Sequence, residues 1–62
     1  MNVHKKAIKT LEAAGYFFKR AGANHDIYYN QEKKHLIALK RHDFDESDLR
    51  YIEKEIKQGA RK

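Results

Sequence analysis

The sequence has no cysteine, no proline and no tryptophan among its 62 residues, and it has only three glycines. Without cysteine, neither a disulfide nor a thiolate metal site can hold the fold together. There is also no repeat and no low-complexity linker. A chain of this length buries only about 60% of its unfolded surface. We therefore expect one small domain, spanning residues 1–62, of marginal stability.

Long hydrophobic runs are also missing. No stretch approaches the roughly 20 apolar residues of a membrane span, and the segment MNVHKKAIKT lacks the apolar core of a signal peptide. These features predict a cytoplasmic protein with no membrane partner.

Positive charge exceeds negative charge. Fourteen Lys and Arg against nine Asp and Glu give a net charge of +5. Many of the basic residues precede residue 42, and an acidic group follows at Asp43, Asp45, Glu46 and Asp48. A basic surface suits phosphate binding, because each neutralised phosphate releases condensed counterions. Composition alone is equally consistent with charges that merely solvate a small surface.

Apolar residues at a spacing of three or four mark an amphipathic helix at the start of the chain. Val3, Ala7, Leu11 and Ala14 lie on one face, while lysines fill the others. Gly15 is placed to end this helix in a left-handed cap.

Three strands are predicted next, at YFFKR, HDIYY and HLIALK. YFFKR and HDIYY supply aromatic residues with high strand propensity, HLIALK is rich in apolar residues, and the turn segments AGAN and NQEKK separate the three. Glycine in AGAN can adopt a positive φ at low cost. The apolar content of HLIALK predicts a strand that is central or well covered.

The segment FDESDLRYIEKEIKQG carries clear helix signals. Asp45 can act as the N-cap, Asp48 completes a capping box, and Phe44 can pack on Leu49 as a hydrophobic staple. We expect Gly59 to stop the helix. The predicted buried stripe consists of Leu49, Ile52 and Ile56.

The resulting architecture is α+β, in the order α-β-β-β-α, with two helices on one face of a three-stranded antiparallel sheet. A sheet this small needs such a cover. Double-stranded RNA-binding domains have this topology, although a fold alone does not establish a function.

Three short sequence features occur in order within residues 11–59. They are the step Ala14-Gly15-Tyr16, the turn from Gly22 through His25 to Ile27-Tyr28, and the pair Arg41-His42. In this combination the chain resembles the HicA family of toxins from bacterial toxin–antitoxin pairs. It departs from the family at Lys40, where proline is common, and at Ala23-Asn24, where the frequent turn is Gly-Ser-His.

The resemblance implies an mRNA interferase, an endoribonuclease that cleaves RNA without a cofactor or metal and is inhibited by a HicB antitoxin. The essential family histidine opens the second strand, which maps to His25. The chemistry fits, because imidazole near neutral pH can take the proton of a ribose 2′-hydroxyl and return one to the leaving oxygen. Nearby cations would offset the charge that develops on phosphorus. The expected RNA-binding residues are Lys19, Arg20, Gly22, Asn24, Lys40, Arg41 and His42.

The histidines also have ordinary interpretations. A lone histidine beside a turn is usually a surface residue, and His42 can simply hydrogen-bond the loop before Asp45. We expect His4 and His35 to be exposed to solvent. No two histidines have the i, i+4 spacing of a helical zinc pair, so no metal site is predicted.

Tyr28 and Tyr29 suggest base stacking, but core packing competes for both side chains. In a strand of period two, Tyr29 shares a face with Ile27 and His25, while Tyr28 points the other way with Asp26. One tyrosine should pack under the helices and the other should be open, and the pattern does not say which. Asp26 is therefore a poor candidate for orienting His25.

Two other functions fit the same residues. A non-catalytic RNA-binding module would use the same fold and charge but would not need His25. A small interaction protein whose charge serves solubility would show no salt-dependent affinity for RNA.

Overall fold

Two helices and three strands follow the order α-β-β-β-α in the computed structural model, which describes residues 2–60. The elements are α1 (Val3–Ala13), β1 (Phe17–Ala21), β2 (His25–Asn30), β3 (His35–Lys40) and α2 (Glu46–Ala60). The predicted α+β layout is confirmed.

The first helix begins and ends on identifiable hydrogen bonds. The Asn2 side chain accepts one from the Lys5 amide at 2.8 Å and so caps the start of α1. At the other end Gly15 has φ 88°, and the amide of Tyr16 donates to the carbonyl of Leu11 at 2.8 Å. This is the Schellman arrangement, and it confirms the left-handed cap predicted at Gly15.

The sheet is an antiparallel meander with strand order β1-β2-β3. β3 therefore lies at an edge rather than in the centre, yet it is well covered. Ile37 and Leu39 are both buried, because alternate residues of a strand face the same layer. The two helices supply that layer.

The core lies between this sheet face and the helices. Tyr28, Ile37 and Leu39 from the sheet belong to one buried cluster with residues of α1 and α2, including Leu11 and Ile52. Full burial of a Leu or Ile side chain contributes about 1.5–3 kcal/mol. The complete cluster is Ala7, Leu11, Tyr16, Tyr28, Ile37, Leu39, Leu49 and Ile52.

Two histidines expected in solvent instead lie against aromatic rings. The hydroxyl of Tyr16 is 2.7 Å from Nδ1 of His35, and the ring of His4 meets that of Phe44 edge-on at a centroid distance of 5.3 Å. Both histidines are half-buried. The expectation was wrong because the sequence does not show which rings meet across elements.

The second helix starts as predicted but continues past its expected end. The Asp45 carboxylate accepts from the amide of Asp48 at 3.2 Å, and the Asp48 carboxylate accepts from the amide of Asp45 at 3.0 Å, which is a capping box. Gly59 does not stop α2, which extends through Ala60. A Cβ on Gly59 would lie 2.7 Å from Nδ1 of His35. Glycine at this position therefore allows close packing.

Candidate active site

His25 is the first residue of β2 and is exposed at the end of a tight turn. The amide of Gly22 donates to the carbonyl of His25 at 2.6 Å and closes this turn. Gly22 does not adopt the positive φ that we expected. A Cβ there would lie 3.0 Å from the carbonyl oxygen of His25, so close backbone approach accounts for glycine at this position.

His25 and Lys40 are direct cross-strand partners at the end of the sheet. Directly opposite residues of an antiparallel pair project on the same face. Both residues line a cleft of about 320 Å³ together with Asn24, His42 and Asp43. The structure thus brings together four predicted site residues, Asn24, His25, Lys40 and His42, from two separate segments.

A smaller cleft of about 90 Å³ lies between His25, Lys40 and the side of α2. Asp48 and Tyr51 line its α2 side, and neither was predicted as a site residue. The spacing of Asp48 from Asp45 pointed only to helix capping. For Tyr51 a signal existed, because this aromatic residue falls outside the buried stripe of α2, and its side chain is 53% exposed.

Asp48 connects the helix cap to the cleft. Its carboxylate lies 3.6 Å from the ammonium of Lys40. The hydrogen bond from the Asp45 amide, and to a smaller extent the charge of Lys40, hold the pKa of Asp48 below its ordinary value. The Lys40 side chain is 43% exposed, so this ion pair is weak. An incoming phosphate can therefore compete with Asp48 for Lys40.

Arg41 holds the turn that carries His25. Its guanidinium donates to the carbonyl oxygens of Gly22 and Ala23, the latter at 2.9 Å. Its Nε lies 3.6 Å from the carboxylate of Asp26. Arg41 therefore has internal partners, and a role for it in RNA binding stays a prediction. Asp26 interacts with Arg41, which agrees with the expectation that Asp26 does not orient His25.

Lys19 and Arg20 lie further along the sheet and do not line either of these two clefts. The β1–β2 register shifts between Phe18 and Arg20, so a β-bulge lies at Lys19. Arg20 pairs with Ile27, which places Arg20 on the sheet face that also carries His25. The ammonium of Lys19 is 4.6 Å from the ring centroid of Tyr29.

The structure resolves the choice between the two tyrosines. Tyr28 is the buried one, at 6% exposure, whereas Tyr29 is half-buried on the opposite face. Burial, and then the nearby carboxylates of Asp26 and Glu12, raise the pKa of Tyr28. Of the pair, only Tyr29 lies on the face away from the helices, and Lys19 covers part of its ring.

Within residues 2–60 no group of three or more His, Asp or Glu side chains is arranged to hold a metal ion. None of the helices in this described part is both long and apolar enough to cross a bilayer. Comparison of the chain with known protein families, curated proteins and solved structures finds no match.

Proposed function

We propose that this protein is a HicA-like mRNA interferase, a metal-independent endoribonuclease in which His25 is the general acid and base. The observation that carries the proposal is the pairing of His25 with Lys40 across the end of the sheet, with both residues lining an open cleft. A titratable group beside a cation is the minimum needed for RNA cleavage, since RNA supplies its own nucleophile.

In the proposed reaction, neutral His25 accepts the proton of a ribose 2′-hydroxyl while the 2′-oxygen attacks the adjacent phosphorus. The bond from phosphorus to the 5′-oxygen breaks, and the His25 imidazolium returns a proton to that leaving oxygen. The products are a 2′,3′-cyclic phosphate and a 5′-hydroxyl. This transfer leaves His25 neutral again.

Lys40 would offset the negative charge that develops on phosphorus, and its position directly opposite His25 supports this role. Its weak ion pair with Asp48 leaves the ammonium free to move to a phosphate oxygen when RNA binds. Asn24 and His42 line the same cleft and can donate hydrogen bonds to phosphate oxygens. Arg41 positions the turn that precedes His25.

An mRNA substrate implies a cytoplasmic location and an external inhibitor. The site is open and lies on a short turn, and no segment of residues 2–60 covers it. A HicB-type antitoxin would supply the missing cover, with acidic groups facing Lys40 and its neighbours.

The test is to incubate the purified protein with labelled single-stranded RNA in EDTA. We expect cleavage by the wild type, loss of cleavage in His25→Ala, and full cleavage in Glu32→Ala, an exposed change in the turn at the far end of β2. Equal cleavage by His25→Ala and the wild type would remove His25 from the mechanism. In bacteria, induction of the wild type alone should arrest growth, and His25→Ala should relieve the arrest at equal protein level.

A non-catalytic RNA-binding module is the second candidate. One observation favours it: among residues 2–60, none of the side-chain hydrogen bonds involves the His25 imidazole, so no side chain fixes its orientation. A binding module predicts no cleavage by the wild type and an RNA affinity that survives His25→Ala.

A further inference from the structure

The sheet face that is turned away from the helices carries a row of large apolar side chains. Phe17, Tyr29 and Leu36 are cross-strand partners, one from each strand. Phe17 is 59% exposed and Leu36 is 51% exposed. A contiguous exposed apolar patch can serve as a binding surface. We call the row formed by Phe17, Tyr29 and Leu36 the aromatic row.

The charged strand residues on the face of the aromatic row are all positive. The bulge at Lys19 puts Arg20 on this face, and the ammonium of Lys19 lies over the ring of Tyr29. In the three described strands Asp26 is the only acidic residue. Asp26 pairs with the buried Leu39 and therefore points to the helical face. Nothing acidic in these strands opposes a polyanion on the open face.

The aromatic row and His25 occupy the same face. Tyr29 and His25 are four residues apart on β2, which corresponds to about 13 Å along the strand. Lys40, the cross-strand partner of His25, lies on the same face at the same end of the sheet. A single extended strand of nucleic acid can therefore cross the aromatic row and still reach His25.

We propose that the aromatic row is a subsite for single-stranded RNA, in which an unpaired base stacks on Phe17 while Lys19 and Arg20 contact the backbone phosphates. The inference rests on the proposed function, because it assigns the path of the same RNA substrate to His25. Phe17 is the ring that offers a free surface, since Lys19 already lies over Tyr29. Tyr29 supports the subsite by holding the charge of Lys19 beside Phe17.

Single-stranded RNA fits this face better than a protein does. Aromatic rings between cations are the usual surface for unpaired bases, because every base has a face that can stack and every linkage has a charge. Duplex RNA keeps its bases stacked inside the helix and cannot use Phe17 in this way. The subsite should therefore distinguish single-stranded from double-stranded RNA.

The test compares two neighbouring phenylalanines. Phe17 and Phe18 are exposed to almost the same extent, 59% and 57%, but Phe18 is on the other face, where its ring meets Tyr28 edge-on. Both are replaced by leucine in a His25→Ala background, so that RNA stays intact. The affinity for a short labelled single-stranded RNA is then measured by fluorescence anisotropy, with duplex RNA as a second probe.

We expect Phe17→Leu to weaken single-strand binding by roughly fivefold or more, since stacking on one base is worth about 1–3 kcal/mol. Phe18→Leu should leave this affinity within about twofold of the parent, and neither change should alter duplex binding. Thermal melting of both variants is the control for correct folding. Equal single-strand affinities for the two variants would overturn the proposal.

The two proposals fail separately. If the wild type does not cleave RNA but Phe17→Leu weakens binding, the enzyme proposal falls and the subsite stands. If the wild type cleaves but Phe17→Leu binds normally, only the subsite is wrong. A change in self-association on light scattering, with RNA affinity unchanged, would show instead that the row is an interface between copies and would also overturn the subsite.

Discussion

Arg41 donates a hydrogen bond to the carbonyl oxygen of Ala23 at 2.9 Å and so joins the end of β3 to the turn before His25. The same guanidinium bonds the carbonyl of Gly22 and faces the carboxylate of Asp26. The turn contains one glycine and no proline, so its own sequence restrains it little. The placement of His25 therefore depends on Arg41.

We predict that Arg41→Lys impairs cleavage more than RNA binding. Lysine keeps the positive charge but cannot reproduce the guanidinium fork that contacts two carbonyl groups. Loss of such bonds on an exposed turn should cost about 1 kcal/mol, or about 4–8 °C in melting temperature for a domain of this size. Amide exchange at Gly22 should accelerate. If RNA affinity falls as far as cleavage does, Arg41 acts mainly on phosphate.

Lys40→Ala should flatten the salt dependence of RNA binding. One lost phosphate contact lowers the slope of log affinity against log salt by about 0.7 for single strands. Lys54→Ala provides the control, because Lys54 is an exposed lysine of α2 that does not line the His25 clefts. Titrations at several salt concentrations measure both slopes. Identical slopes for the two variants would place the RNA path away from Lys40.

Gly59→Ala should destabilise the fold although it lies in a helix. Alanine in place of a helical glycine normally stabilises by about 0.5–1 kcal/mol. Here the new methyl would meet the hydroxyl of the fully buried Tyr16 and lie 2.7 Å from Nδ1 of His35. Overpacking of this kind costs about 1–3 kcal/mol, which urea unfolding can measure.

Tyr16→Phe separates this clash from a general defect at the end of α2. The substitution removes the hydroxyl that meets the new methyl, although it also breaks the hydrogen bond to His35. Gly59→Ala should therefore cost less in the Tyr16→Phe background than in the wild type. If Gly59→Ala lowers the free energy of unfolding equally in both backgrounds, the new methyl is accommodated by a shift of the end of α2 and not by Tyr16.

Local signals predicted most of the fold. The strand HLIALK coincides with β3, and the left-handed Gly15 and the Asp45–Asp48 capping box both form. Each of these features depends on residues within a few positions of one another, where periodicity and capping chemistry act. The sequence also placed His25 correctly at the start of β2.

Contacts between segments that are far apart in the sequence could not be predicted from these local signals. Gly59 lies inside α2 and packs closely on Tyr16 and His35, which lie in other parts of the chain. The Lys40–Asp48 pair joins β3 to α2, and the bulge at Lys19 depends on the register with β2. Such features follow from the packed arrangement of elements, and propensities do not encode it.

Asp48 should make stability depend on pH at the acid end. Its folded pKa is lowered from the ordinary value of 3.8, mainly by the hydrogen bond from the Asp45 amide. A lowered carboxyl pKa contributes stability that is fully present above pH 3.8 and is lost as the pH falls through the pKa of the folded state. Thermal melts should therefore show Asp48→Asn less stable than the wild type at pH 6, with the gap closing below pH 3.8.

Asp43→Asn is the matched control for that series, because it removes a neighbouring exposed carboxylate outside the capping box. Asparagine also tolerates the positive φ of 54° at position 43. Its offset from the wild type should change less with pH than that of Asp48→Asn. A gap for Asp48→Asn that stays constant from pH 6 to pH 2 would contradict the role given to Asp48.

The final prediction concerns an inhibitor that covers His25. Because Tyr28 is buried, we expect a HicB-type partner to anchor on Tyr29 or its exposed neighbours and to meet Lys40 with acidic groups. Amide exchange should then show protection at residues 22–30 in the complex. The partner should also raise the melting temperature, since it binds only the folded state. Protection confined to residues 49–56, with His25 still open and cleavage stopped, would mean that the inhibitor distorts the site from the helical side.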